Sequence, residues 1–134
     1  MAAASKMSSD LGQPMQVQPM PAETAVLDVD ASLKRLGGDR TILIELAKMF
    51  AEDSTGLIDA IEQGIQEEHY SDAGRAAHSL RGLAANFGAA RLVHRLRELE
   101  VALAQGDRVG SLTLMAPARE EKGRLQEALG AYCR

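Results

Sequence analysis

The sequence predicts an all-α fold, an antiparallel four-helix bundle with a short additional N-terminal helix. Three observations lead there. Apolar residues return at three-, four- and seven-residue steps through most of the chain, the spacing of one helix face. No stretch alternates apolar and polar residues strongly enough to be a β-strand, and the links between periodic segments are short. Aromatic residues make up only 3% of the 134-residue chain and Trp is absent. A core must therefore be built from Leu, Ile, Ala and Met, side chains that let helices approach closely.

Residues 1–24 hold three of the four prolines, Pro14, Pro19 and Pro21. They show no sustained periodicity and read as a flexible tail, or as a linker to an upstream domain. The folded domain is expected over residues 25–134. Asp30 is placed to cap a short helix from Ala31 to Leu36, which Gly37 and Gly38 stop. Asp39 is a second cap. From Arg40 the residues Leu43, Leu46, Phe50, Leu57, Ile61 and Ile65 trace a long amphipathic helix to Glu67, with a break allowed near residues 54–56. Ser71 or Asp72 caps the next helix, which runs to Phe87 and is turned by Gly88. A helix from Arg91 to Gln105 follows, with Leu92, Leu96, Leu99 and Leu103 as its seam and Gly106 as its end. In the last helix Pro117 suits a first turn, and Leu125, Ala128, Leu129 and Tyr132 supply the stripe. Residues 111–116 either extend that helix or cap the bundle.

A hydrophobic content of 46% is enough for a core, and a formal net charge of −4 speaks against nucleic acid as a partner. The charge is unevenly spread. Between Asp72 and Arg97 there are five arginines (Arg75, Arg81, Arg91, Arg95 and Arg97) against Asp72 alone, so this helical pair reads as locally basic. The single cysteine, Cys133, cannot form an internal disulfide and suits a reducing cytosol. No segment approaches the roughly 20 apolar residues of a membrane span, and the N-terminus lacks a basic start followed by an apolar stretch. The expectation is a cytoplasmic domain without membrane contact of its own.

The run Ala76-Ala77-His78-Ser79-Leu80-Arg81-Gly82 carries the functional signal. Taking about 100° per residue, Ala73, Ala76, Ala77, Leu80, Leu83, Ala84 and Phe87 fall within roughly 60° of one direction, the core-facing stripe. His78 lies about 160° away and is expected to point at solvent. Its neighbours on that side are Gly74, Arg75, Arg81, Gly82 and Ala85. Three of these have little or no side chain, and the two arginines have long stems that can swing aside or reach an anion. A mid-helix glycine costs roughly 1 kcal/mol relative to alanine, so Gly82 needs a reason outside the helix. A low, open, cationic surface around an imidazole suits a group that carries a phosphoryl while another protein covers it.

These residues resemble the histidine-containing phosphotransfer (HPt) domain of bacterial multistep phosphorelays. The likeness rests on Ala77-His78-Ser79-Leu80-Arg81-Gly82 followed by Gly88-Ala89, and extends from Leu27 to the C-terminus. The upstream run Leu33-Lys34-Arg35-Leu36-Gly37-Gly38-Asp39 and the downstream Leu92, Leu96, Leu99 and Glu100 also resemble the family's pattern. The resemblance implies that His78 is the phosphoacceptor, taking a phosphoryl group from an aspartyl phosphate of one response-regulator receiver domain and passing it to an aspartate of another. It implies attack through the outer ring nitrogen. Arg81 stands where the family usually has lysine; it keeps the charge, changes the donor geometry, and is expected to support the phosphoryl group. Gly74, Arg75, Gly82 and Ala85 would form the docking surface, with the basic segment meeting a receiver's acidic pocket. The chain would be a phosphoryl carrier and not an enzyme by itself, with no cofactor of its own and Mg²⁺ supplied by the receiver. The resemblance also admits membership of a hybrid sensor kinase, as the cytoplasmic end of a membrane-bound chain.

Rival readings are weaker. None of His69, His78 and His94 has a glutamate three residues before it, so the Glu-x-x-His pattern of di-iron bundles is missing and no metal is expected. No Gly-x-Ser-x-Gly, phosphate-cradling glycine loop or zinc motif supports hydrolytic chemistry. Dimerising kinase domains follow their histidine with an acidic residue and then a proline, which Ser79 and the proline-free helix do not match. His94 reads as a solvated histidine, His69 as a local or capping residue, and Asn86 as a helix end. The alternative from another class is a helical adaptor that binds a receiver or other signalling protein without transferring phosphate.

Overall fold

In the computed structural model the described residues are Val17, Pro19, Met20 and 24–134. The tail or linker expected over residues 1–24 therefore falls almost wholly outside them. Five helices follow: α1 (Val29–Arg35), α2 (Arg40–Gln66), α3 (Tyr70–Ala85), α4 (Ala90–Ala104) and α5 (Arg108–Cys133). No strand occurs among the described residues. Helix α3 packs against α2 and α4, and α5 closes the square against both. Short turns make successive helices antiparallel, giving the four-helix bundle plus the additional α1.

The helix starts follow backbone demand more than the spacing of candidate caps. For α1 the cap is Asp28, whose side chain accepts from the Ala31 amide at 3.0 Å. Asp30, the expected cap, sits in the first turn, where a negative charge still complements the exposed amides. Asp39 caps α2 as expected, accepting from the Thr41 and Ile42 amides. No break interrupts α2 at residues 54–56, and Ser54 is fully buried there.

Helix α3 starts before Ser71, with His69 in the cap position and no side-chain capping bond. A tight reversal replaces the cap: Glu68 takes φ 59°, and the His69 amide donates to the Gly64 carbonyl at 2.7 Å. Gly64 is needed in that turn. A Cβ there would lie 2.7 Å from the Ala73 Cβ and 3.0 Å from the His69 carbonyl oxygen.

The largest departure is α5. Asp107 accepts from the Gly110 amide at 2.9 Å and starts the helix at Arg108, so Pro117 lies inside α5 and not in its first turn. An interior proline removes one helical hydrogen bond and costs about 3 kcal/mol in isolation. Here Leu114, Met115, Ala118, Leu125 and Leu129 are buried on both sides of it. Burial at about 25 cal/mol per Å² over that stripe outweighs the lost bond.

The core is aliphatic, as the composition requires. Phe50 and Phe87 meet edge to face at 5.6 Å near the end of the bundle that α1 covers. The Asp28 amide donates to the Phe87 carbonyl, the Arg91 amide donates to the Ala25 carbonyl, and the Arg35 guanidinium donates to the Ala85 carbonyl. These bonds strap α1 and the segment before it across the α3–α4 turn. Between α4 and α5, Arg91 holds Glu121 with two bonds of 3.0 and 2.8 Å, and Arg124 donates to the same carboxylate at 2.8 Å.

Candidate functional site

The face of α3 that carries His78 follows from its buried face. Ala73, Ala76, Ala77, Leu80 and Ala84 are buried, which turns position 78 outward, and the imidazole is 70% exposed. Gly74 and Gly82 flank it one turn away on either side. A Cβ built at either glycine meets nothing within 4 Å. No packing among the described residues asks for glycine at these two positions, yet each costs helix stability. Two open grooves run beside the ridge. One, of about 1010 Å³, lies between α3 and α4 along Gly74, Arg75, His78, Glu100 and Leu103. The other, of about 640 Å³, lies between α2 and α3 along Glu52, Asp53, Gly56, Leu57 and Gly82.

The ring of His78 is anchored through one nitrogen. Glu100, projecting from α4, brings Oε1 to 3.2 Å from Nδ1, and Arg81 brings Nη2 to 3.0 Å from the same atom. Arg81 also donates through Nε to Glu100 Oε2, so the guanidinium and the carboxylate hold each other. Both are largely shielded, with side-chain exposures of 26% and 21%. Nε2, the ring's other nitrogen, has no hydrogen-bond partner among the described residues. Arg81 is thus committed to Glu100 and His78 and does not extend freely into solvent. Glu100 is the residue that sequence reasoning left without a role. Its signal was faint: it stood beside Leu99 in the stretch that resembles the family's pattern, but only the register of α4 on α3 brings it to the imidazole.

The remaining expected docking residues differ in exposure. Arg75 is exposed and pairs with Asp72 on its own helix. Ala85 is half-buried, and its carbonyl accepts from Arg35, so α1 borders the face at that end. Asn86 occupies the C-cap of α3. His94 is half-exposed and lies 3.8 Å from Glu98. His69 contributes through its backbone at the start of α3.

The basic character expected between Asp72 and Arg97 is mostly cancelled on folding, where four of the five arginines find carboxylates and Arg97 stays exposed. Arg75 pairs with Asp72, Arg81 with Glu100, Arg91 with Glu121 and Arg95 with Glu98. Three of those four carboxylates lie beyond residue 97 in the chain, so a count within the segment misses them. Among the described residues no three His, Cys, Asp or Glu side chains converge as a metal-ligand set, and no helix is long and apolar enough to cross a membrane.

Comparison with known proteins agrees with this geometry. The sequence finds no match among curated proteins. The structure is similar to that of a histidine-containing phosphotransfer protein, ZmHP2, from maize, with a TM-score of 0.65 and 17% identity over 98% of this chain and 99% of that one; at that identity the likeness speaks to the fold. The family model for the Hpt domain matches residues 45–133, from the first turns of α2 almost to the C-terminus. Hpt domains are phosphocarrier modules that work with response-regulator receivers, and a match over that much of the bundle makes this chain a member of the Hpt domain family, with a part in phosphorelay phosphotransfer.

Proposed function

We propose that His78 accepts a phosphoryl group from the aspartyl phosphate of a receiver domain and hands it to the aspartate of another. One observation carries the reading: an exposed imidazole, anchored at Nδ1 and open at Nε2, stands between two glycines whose missing side chains serve no packing among the described residues. When Nδ1 bears the proton and donates to Glu100, Nε2 holds a lone pair directed outward. That pair attacks phosphorus in line while the phosphorus–oxygen electrons return to the departing aspartate carboxylate. The equatorial oxygens carry the charge of the transition state. Mg²⁺ and a lysine, both expected from the receiver, would offset that charge there. The chain itself supplies the nucleophile, its orientation and a surface low enough for the receiver's active site to close over it. Gly82 and Gly74 keep that surface low, and Arg81 stays close enough to the ring for one of its N–H groups to face an incoming phosphoryl oxygen.

The test is phosphoryl transfer from a panel of phosphorylated receivers to the chain and to His78→Gln, followed by mass spectrometry under alkaline conditions that preserve phosphohistidine. Acid-labile phosphate on His78, lost in the variant while the melting temperature holds, is the expected outcome. Binding of a receiver by both proteins with no transfer to either would replace this reading with that of an adaptor.

A further inference from the structure

Folding reverses the sign of the charge expected beside His78. Of the charged side chains that line its two grooves, Arg75 is paired with Asp72 and Glu100 with Arg81. Glu52 and Asp53, both exposed, have no ion-pair or hydrogen-bond partner among the described residues. The uncompensated charge of the grooves is therefore negative. It stands on one side only, along the α2 wall of the groove that Gly82 borders.

That groove is open from both walls. Gly56 of α2 and Gly82 of α3 line it together, and a Cβ built at either meets nothing within 4 Å. Gly56 lies inside a 27-residue helix, where glycine costs about 1 kcal/mol relative to alanine. Leu57 and Leu83, both half-buried, supply apolar surface between the two glycines, and Ser79 joins the groove to the ridge that carries His78. A volume of about 640 Å³ admits an apolar side chain against the leucines, and a cation beside that side chain would meet Glu52 and Asp53.

Resting on the reading that His78 is the phosphoacceptor, we propose that Glu52 and Asp53 select the receiver, pairing with a lysine or arginine that the cognate receiver sets beside an apolar side chain entering the α2–α3 groove. Exposed charges at the margin of an interface act mainly on the rate of encounter and against wrong partners. Their reach at physiological ionic strength is about 8 Å, so they discriminate in the last steps of docking. A receiver with a carboxylate at the same place is repelled, and that repulsion serves specificity as much as the attraction does. The free arginines that a count along the chain suggested cannot do this, because Asp72 and Glu100 already hold them.

The test is the second-order rate constant for transfer from each of a panel of phosphorylated receivers, at low and at high salt. The acceptors are the wild-type chain, a charge-reversed variant (Glu52→Lys with Asp53→Lys) and a neutral variant (Glu52→Gln with Asp53→Asn). For the receiver that serves the wild-type chain fastest, charge reversal is expected to lower the constant about tenfold or more at low salt, and neutralisation severalfold. Added salt should slow the wild-type reaction and speed that of the charge-reversed variant. The loss should fall on the second-order constant and not on the rate at saturating receiver, which separates docking from a disturbed imidazole. Thermal melts establish that each variant is folded. An unchanged constant in the charge-reversed variant, one salt dependence shared by all three proteins, or a loss confined to the saturated rate overturns the proposal while leaving His78 as acceptor. Failure of the wild-type chain to take phosphate on His78 from phosphoramidate overturns the acceptor reading, and this proposal with it.

Discussion

The outer face of α3 and the seam between α4 and α5 are built from the same pair of residues, arginine and glutamate, and use them differently. In the seam, Arg91 meets Glu121 with the carboxylate side chain only 3% exposed, and Arg124 completes its hydrogen bonding. On the outer face, Arg81 meets Glu100 with both side chains about a quarter exposed and a histidine as third member. A pair whose carboxylate is enclosed serves to hold helices together, since moving its partner strands a buried charge. A pair at the edge of solvent can exchange partners at low cost and so can act on the ring beside it. Glycine divides along the same line. Gly64 is required by the first turn of α3, whereas a Cβ at Gly82 would meet nothing within 4 Å among the described residues.

The largest separation between the regions is expected from Glu121→Ala, which strands Arg91 between α4 and α5. It should cost about 3 kcal/mol in denaturant unfolding and leave transfer by the folded fraction unchanged. The same residue sets an acid limb. Burial disfavours the charge of Glu121, but hydrogen bonds and attraction from Arg91 and Arg124 outweigh it and hold the carboxyl below its ordinary range. Its contribution is therefore present above the usual carboxylate pKa and is lost as pH falls through the lower value of the folded state. Unfolding followed against pH should show this acid limb flattened in Glu121→Ala.

Next in size, Gly82→Leu should reduce receiver-dependent transfer about a hundredfold or more, because a displaced receiver loses its in-line geometry, while stability changes little. Normal transfer in that variant would remove the steric reason for the glycine. A milder pair reads the contrast from the stability side. Gly64→Ala should cost about 2 kcal/mol through overpacking against Ala73 and the His69 carbonyl, and Gly82→Ala should gain about 1 kcal/mol of helix propensity; thermal melts distinguish the signs. The smallest effect is expected of His94→Gln, within about 0.5 kcal/mol in stability and with transfer at the wild-type rate, since the half-exposed ring only approaches Glu98.

Much of the fold was legible because it depends on local periodicity. The Leu43 to Ile65 stripe and the Leu92 to Leu103 seam both line the core. The helix ends were less so. Asp28 caps α1 in place of Asp30, and α3 starts without either expected cap, because hydrogen bonds to Phe87 and Gly64 place those turns. Pro117 misled for the opposite reason: a local preference for the first turn gave way to burial on both sides of it. At the candidate site the outward aim of His78 and the missing side chains of Gly74 and Gly82 follow from positions along one helix. Glu100 is 22 residues from His78, and no periodicity within either helix brings the two together.

What the sequence determined by itself was therefore whatever 3.6-residue geometry decides within a segment: an all-α bundle, the buried stripe of α3, and an imidazole on its opposite side between two glycines. The tertiary structure alone decided which charges meet. It spent four of the five arginines of α3 and α4 on carboxylates from the same or the following helix, turning an apparently basic surface into a largely paired one, and it set Glu100 and Arg81 on the same ring nitrogen. The reason is physical: hydrophobic periodicity is a property of neighbours in sequence, but ion pairs form over a few ångströms between helices, and their partners are chosen only when packing sets the register.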